Sequence, residues 1–215
     1  MTPCAPSPLL ALAKHIMDIR SRMRAVLASE AQAIANVPID DAYEAAVRAL
    51  QACTGKVMTT GIGKAGHIAR KFAATLCSTA TPAEFVHPAE AAHGDLGVIR
   101  RDDCVVALST SGKSREVLEM LEMVRHLGVK TVIGITSHPD SELRNLCNIV
   151  LNMGEIEEAC PLGLTPSSSM AAMLAITDAL ALALMEVKGV TKTDWGLRHH
   201  GGYLGRKARM DNEPH

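Results

Sequence analysis

The sequence predicts an α/β protein, a parallel β-sheet with helices packed on both of its faces. Three observations predict it. Strand-like and helix-like segments alternate, with short links, from about residue 56 to residue 187. The strand-like runs, such as Cys104-Val105-Val106-Ala107-Leu108, are apolar without alternation, as strands buried on both faces are. Glycine- and hydroxyl-rich turns follow these runs, and right-handed crossovers bring such turns to one edge of the sheet. Ligands of open α/β sheets sit at that edge, beyond the carboxyl ends of the strands.

The elements follow in order. Ser7 to Val37 reads as a helix with Ile16, Ile19, Met23, Leu27, Ala31 and Ile34 on one stripe, ended by Pro38. Asp40 caps a second helix that runs to Cys53, and Gly55 breaks the chain. Lys56 to Thr60 is the first strand, followed by a glycine turn and a helix from Ala65 to Ser78. Ala83 to His87 is a short second strand, and Cys104 to Ser109 is the third. Arg115 to His126 is a helix with Val117, Leu118, Leu121 and Val124 on one side, closed by Gly128. Thr131 to Thr136 is the fourth strand, Glu142 to Cys147 a short helix, and Asn148 to Asn152 the fifth strand. A long apolar helix follows Pro166.

Composition bounds the function. The 215 residues are one domain with appended helices, and 47% apolar residues suffice for a core. Net charge is −1 and the five aromatic residues are scattered, so neither a basic field nor a stacking platform points to nucleic acid. Cys4, Cys53, Cys77, Cys104, Cys147 and Cys160 form no C-x-x-C pair, the pattern of reduced thiols in a cytoplasmic protein. The apolar stretch Leu9 to Ala13 is too short for a signal peptide. Met170 to Val187 carries Asp178 near its middle, at a cost of roughly 2.5–3.5 kcal/mol in a bilayer. It reads as a helix buried in the fold or between subunits, not as a membrane span.

Four strand-end loops carry candidate chemistry. Ser109-Thr110-Ser111-Gly112-Lys113-Ser114 joins a buried strand to a helix, so backbone N–H groups, hydroxyls and the positive end of a helix dipole converge there. That is a place to hold a phosphate; the plain alternative is a serine cap. Thr60-Gly61-Ile62-Gly63-Lys64-Ala65-Gly66 has the G-x-G-x-x-G spacing of a dinucleotide site. The acid such a site wants falls at Glu84, early in its strand, so the better reading is close backbone approach to a ligand, with the Lys64 charge beside it. His87, Glu90 and His93 are three apart in a loop, a spacing open to a divalent metal, although acid–base or hydroxyl-binding work by His93 suits the residues better. Glu158 follows the fifth strand, and Ser167-Ser168-Ser169 exceed what one helix cap needs. A phosphate anchor beside an acid–base pair suits proton transfer next to a carbonyl.

At these segments, and at His199-His200-Gly201-Gly202-Tyr203-Leu204-Gly205-Arg206, the chain resembles the sugar isomerase (SIS) domain family. Within that family it is similar to the D-arabinose 5-phosphate isomerases of 3-deoxy-D-manno-octulosonate synthesis. The resemblance implies a three-layer αβα sandwich around a five-stranded parallel sheet. It divides the chain into N-terminal helices (1–54) that pack on the domain or on a neighbouring subunit, a phosphosugar-binding domain (55–206) and a tail (207–215). It also implies a homotetramer that interconverts D-ribulose 5-phosphate and D-arabinose 5-phosphate without a redox cofactor, and no metal-binding residue is carried over from it. Carried over by motif, Lys64, His93, Glu158 and His199 form the catalytic group, with His199 supplied across a subunit boundary. Gly63, Ser109, Thr110, Ser111, Lys113, Ser114 and Ser168 bind the substrate and its phosphate.

The sequence departs from the family pattern in two places. Many of these isomerases continue into a pair of cystathionine-β-synthase-type domains, and a chain ending at His215 is expected to lack that module. Lys113 stands where many relatives place a glutamate, a change of two charge units beside the expected phosphate. Two further functions therefore stand beside the leading one: isomerisation of another ketose phosphate, and non-catalytic sensing of a sugar phosphate or sugar nucleotide.

Overall fold

Five apolar runs pair into one all-parallel sheet, and their order fixes where a ligand can sit. The structure is a computed structural model that describes residues 18–210. The expected helical turns before Asp18 and the last residues of the tail lie outside that range. Asp18 caps α1 (Ile19–Ala35), and Asp40 accepts a 3.0 Å hydrogen bond from the Ala42 backbone N–H to start α2 (Asp41–Gln51). Strand β1 (Val57–Gly61) leads into α3 (Gly63–Ser78), and β2 (Ala83–Phe85) into the single turn α4 (Pro88–Ala91). β3 (Cys104–Leu108) is followed by α5 (Arg115–His126), then β4 (Thr131–Thr136) and β5 (Ile149–Asn152). The chain closes with α6 (Ser168–Val187), α7 (Lys192–Arg198) and α8 (Gly202–Met210).

The strand order is β2–β1–β3–β4–β5, with Val57 opposite Cys104 and Gly61 opposite Leu108. From β1 the chain crosses to one edge at β2 and then returns to build the other side through β3, β4 and β5. The reversal opens a crevice between the carboxyl ends of β1 and β3. Side chains alternate between two cores. Val57, Val106, Leu108, Ile133, Ile135 and Leu151 pack toward α2, α3 and α6. Met58, Val105, Ala107 and Val132 pack with Val117, Leu121 and Val124 of α5 on the other face. This is the three-layer sandwich the sequence predicts.

Several elements differ from expectation. The Asp103 carboxylate takes the Lys56 backbone N–H at 2.7 Å, so sheet pairing begins at Val57. The helix expected over Glu142 to Cys147 is a 3₁₀ turn over Glu142–Asn145. The segment read as a tail from residue 207 continues α8 to Met210. α6 is long and apolar enough to cross a membrane, yet it packs against α1, α2 and α3 with nine of its residues buried. The apolar stripe of α1 points away from the domain: Ile19, Met23 and Leu27 are 66%, 62% and 65% exposed.

Candidate active site

At the reversal of strand order the glycine turn after β1 meets the serine turn after β3. The glycines place α3 tightly against the sheet. A Cβ at Gly66 would stand 2.6 Å from the Gly61 carbonyl oxygen, and one at Gly61 would press on Ala65 and Leu108. Gly63 turns the chain with φ +58°. These demands account for the G-x-G-x-x-G spacing through packing and turn geometry. Glu84, the acid a dinucleotide site would need, instead pairs with Lys56 at 2.7 Å.

The serine turn is held from below. The Thr136 hydroxyl donates to Thr110 O at 3.0 Å, and the Leu143 N–H donates to Gly112 O at 3.1 Å. Gly112 has φ +63°, and a Cβ there would overlap Ser141 Oγ. Ser109 Oγ is buried and lies 3.0 Å from Ser114 Oγ, while Ser111 Oγ accepts from the Lys113 N–H at 3.2 Å.

These groups surround a cleft of about 310 Å³ lined by Ile62, Lys64, Ala65, Ser109, Thr110, Ser111, Ser114, His138, Pro166 and Met170. Ile62 and Ser114, the residues preceding α3 and α5, cap neither helix with a side chain. Both helices thus open toward the cleft with unsatisfied backbone N–H groups, beside the Lys64 ammonium and four hydroxyls. This arrangement suits a phosphate dianion.

Glu158 stands behind the cleft wall. Its carboxylate accepts from the Ser167 N–H at 2.7 Å, the Ser167 hydroxyl at 3.3 Å and the Ser169 N–H at 3.5 Å, as well as from the Ser169 hydroxyl. Pro166 and Met170, which flank those serines, line the cleft itself. Burial alone would raise the Glu158 pKa, but the bonds from Ser169 and Ser167 outweigh it and hold the carboxyl below its ordinary value. A carboxylate kept ionised at a cleft wall can accept a proton from a carbon acid.

The other expected site residues stand apart. Ser168 is fully buried; its hydroxyl lies 3.2 Å from Ser29 Oγ and accepts from the Ala159 N–H, tying α1 to α6. Lys113 lines a neighbouring cleft with Ser137, Asp140, Asn152 and Glu155, and His138 is common to the two. His93 is exposed beside α5, near Leu96, Met120 and Met123, and is not among the residues of the serine cleft. His199 ends α7, with Nδ1 2.9 Å from Trp195 O and its ring stacked on Trp195 at 3.5 Å. Among the described residues no three His, Cys, Asp or Glu side chains gather to hold a metal ion, His87, Glu90 and His93 included. His138, Pro166 and Met170 were missed by sequence reasoning; for His138, the signal was its place just beyond the carboxyl end of β4.

The SIS domain family model matches residues 50–183. The chain belongs to the SIS domain family. The arabinose 5-phosphate isomerase KdsD of Pseudomonas aeruginosa is 46% identical over 175 residues, which are 81% of this SIS chain and 53% of that protein. KdsD of Escherichia coli strain K12 is 44% identical over 195 residues, 90% of this chain and 59% of that protein. The chain thus spans between half and three-fifths of the length of these curated relatives. The solved structure of E. coli CFT073 c3406 in complex with A5P superposes with a TM-score of 0.82 at 38% identity, covering 86% of this chain and 99% of that one. The Vibrio vulnificus NanR protein complexed with ManNAc-6P, at 16% identity and a TM-score of 0.68, shares the SIS fold alone.

Proposed function

We propose that the chain is an aldose–ketose isomerase that interconverts D-ribulose 5-phosphate and D-arabinose 5-phosphate, a supply step for 3-deoxy-D-manno-octulosonate and lipopolysaccharide. One observation carries the reading: Lys64 and the Ser109–Ser114 turn share a cleft whose wall, at Pro166 and Met170, adjoins the ionised Glu158. The identity to KdsD and the A5P-bound neighbour support the choice of sugar.

Ser109, Thr110, Ser111 and Ser114, with the amino ends of α3 and α5, hold the phosphate and so fix the carbon chain. Glu158 takes the proton from C1 of the open-chain ketose. Electron density moves to the C2 oxygen, giving a cis-enediolate that the Lys64 ammonium stabilises. The proton returns to C2 and leaves the aldehyde at C1. No external oxidant or reductant enters, because C1 is oxidised as C2 is reduced. His93 and His199, which lie outside the cleft of their own chain, serve ring opening and hydroxyl proton transfer across subunit boundaries in a homotetramer. The exposed stripe of α1 and the exposed Leu174 and Leu182 of α6 are the surfaces for that assembly. The reading places the enzyme in the cytoplasm, in keeping with free thiols at Cys53, Cys77, Cys104, Cys147 and Cys160.

The test is turnover of D-ribulose 5-phosphate in deuterated water followed by NMR. Deuterium at C2 of newly formed D-arabinose 5-phosphate is the expected result, and neither exchange nor product would overturn the proposal. A panel of other ketose phosphates in the same assay separates the alternative substrates. Lys113, a cation where many relatives carry an acid, favours a second reading as a sugar-phosphate sensor; ligand-dependent thermal stabilisation without turnover would select it.

A further inference from the structure

Two cysteines meet at the opposite end of the sheet, far from the serine turn. Cys53 follows α2 and Cys104 opens β3. Both address one carbonyl: the Cys104 N–H donates to Lys56 O at 3.0 Å, and Cys53 Sγ lies 3.4 Å from the same oxygen. Cys104 Sγ reaches back to Ala49 O, in the last turn of α2, at 3.7 Å. Cys53 Sγ also lies 3.7 Å from Asp102 O, in the loop that leads into β3. Both thiols line a cleft of about 540 Å³ at the amino ends of β1, β3 and β4, where Arg101 and Lys130 stand exposed and Cys53 is half-buried. Asp102 and Asp103 also line it, but the Asp103 carboxylate is committed to the backbone N–H groups of Lys56 and Arg100, at 2.7 Å each.

We infer that Cys53 and Cys104 form a reversible dithiol–disulfide site that reacts with small disulfides bearing carboxylates, of which oxidised glutathione is the type, drawn to the cleft by Arg101 and Lys130. The neighbouring Cys104 thiol holds Cys53 down to about 7, while the Cys53 thiol and burial push Cys104 up, and Cys53 is the more exposed of the two. Cys53 is therefore the attacking sulfur and Cys104 the resolving one. The Cys53 thiolate attacks one sulfur of the small disulfide, a mixed disulfide forms, and one small thiolate leaves. The Cys104 sulfur then attacks Cys53 Sγ, the second small thiolate leaves, and it takes up the Cys104 proton. Two protein thiols are oxidised to one disulfide as one small disulfide is reduced to two thiols. The product bridge ties the end of α2 to the start of β3.

The whole chain, reduced and then treated with oxidised glutathione in the presence of a chelator, is digested without reductant and mapped by mass spectrometry. The expected result is a cross-linked pair of peptides carrying Cys53 and Cys104, lighter by two hydrogen atoms than the reduced pair and released by dithiothreitol. Cys104→Ser should trap a glutathione adduct on Cys53, whereas Cys53→Ser should leave Cys104 unmodified. Glutathione adducts on exposed Cys77, or on Cys160, which hydrogen bonds from Thr165 pull down to about 6, are the internal control for reactive thiols. Adducts there without the Cys53–Cys104 cross-link in the unaltered chain would overturn the inference. So would a bridge that pairs either cysteine with another. The isomerase assay is separate from this readout, so failure of one reading leaves the other standing.

Discussion

The Ser167 backbone N–H donates to the Glu158 carboxylate at 2.7 Å. One side chain thereby caps the buried helix α6 and supplies the ionised group beside the serine cleft. Glu158→Gln keeps the shape and most of these bonds but removes the charge. The expected outcome is a fall in kcat of about 10²–10⁴-fold, with inorganic phosphate still binding as in the unaltered protein. Steady-state kinetics and calorimetric phosphate titration check the two halves.

The same bonds set a pH dependence. Folding favours the ionised form of Glu158, because its carboxyl is held below the ordinary value against the effect of burial. That contribution is complete above the ordinary carboxylate range and is lost as pH falls through the depressed value. Ser169→Ala deletes one of the bonds and lets the pKa rise. The acid limb of the kcat/KM profile should move to higher pH, by up to about one unit.

Lys64 and Lys113 should separate in a phosphate assay. Lys64 lines the serine cleft, whereas Lys113 lines its neighbour. Lys64→Met is expected to weaken inorganic phosphate binding about tenfold or more. Lys113→Glu is expected to cost less than about threefold at 0.15 M salt, where exposed charges are screened. Dissociation constants from calorimetry decide between these magnitudes.

Gly112→Ala tests the seat of the serine turn. With φ +63° and Ser141 Oγ in the way of a Cβ, it should destabilise by about 2 kcal/mol or more, a fall of roughly 4–8 °C in Tm. Thermal melts with and without phosphate read both the loss and the weakened ligand stabilisation.

Met23→Glu combined with Leu27→Glu places charge on the exposed stripe of α1. If that stripe joins subunits, sedimentation velocity at micromolar concentration should change from the assembled species to monomer, and turnover should fall with it. An unchanged sedimentation coefficient would remove α1 from the interface.

Much of the fold was legible because each strand is buried on both faces, so apolar runs at Cys104 to Leu108 and Thr131 to Thr136 stood out, and the bounds of α5 were read to the residue. The carboxyl-edge rule alone places Lys64 and the serine turn at one edge of the sheet. What stayed hidden depends on contacts between distant segments. Ser168 and Ser114 look alike in sequence, yet the first is buried against Ser29 of α1 while the second faces the cleft. His138 gave no periodic signal, because a single residue after a strand has none. The stripe on α1 was read correctly as apolar, but sequence periodicity does not say whether such a stripe meets its own domain or another chain.

The contact between Gly61 and Gly66 sets a limit on how this domain can diversify. With no room for a methyl group between strand end and helix, the angle at which α3 leaves the sheet is fixed, and the hydroxyls and backbone N–H groups of the cleft keep their places; on the proposed function, they do so whatever sugar the phosphate carries. Changes of substrate are thereby channelled to the rim, at positions such as Lys113 and His138, where side chains can be exchanged without moving the frame. On that reading, a lineage can acquire a new sugar there and still inherit the same frame.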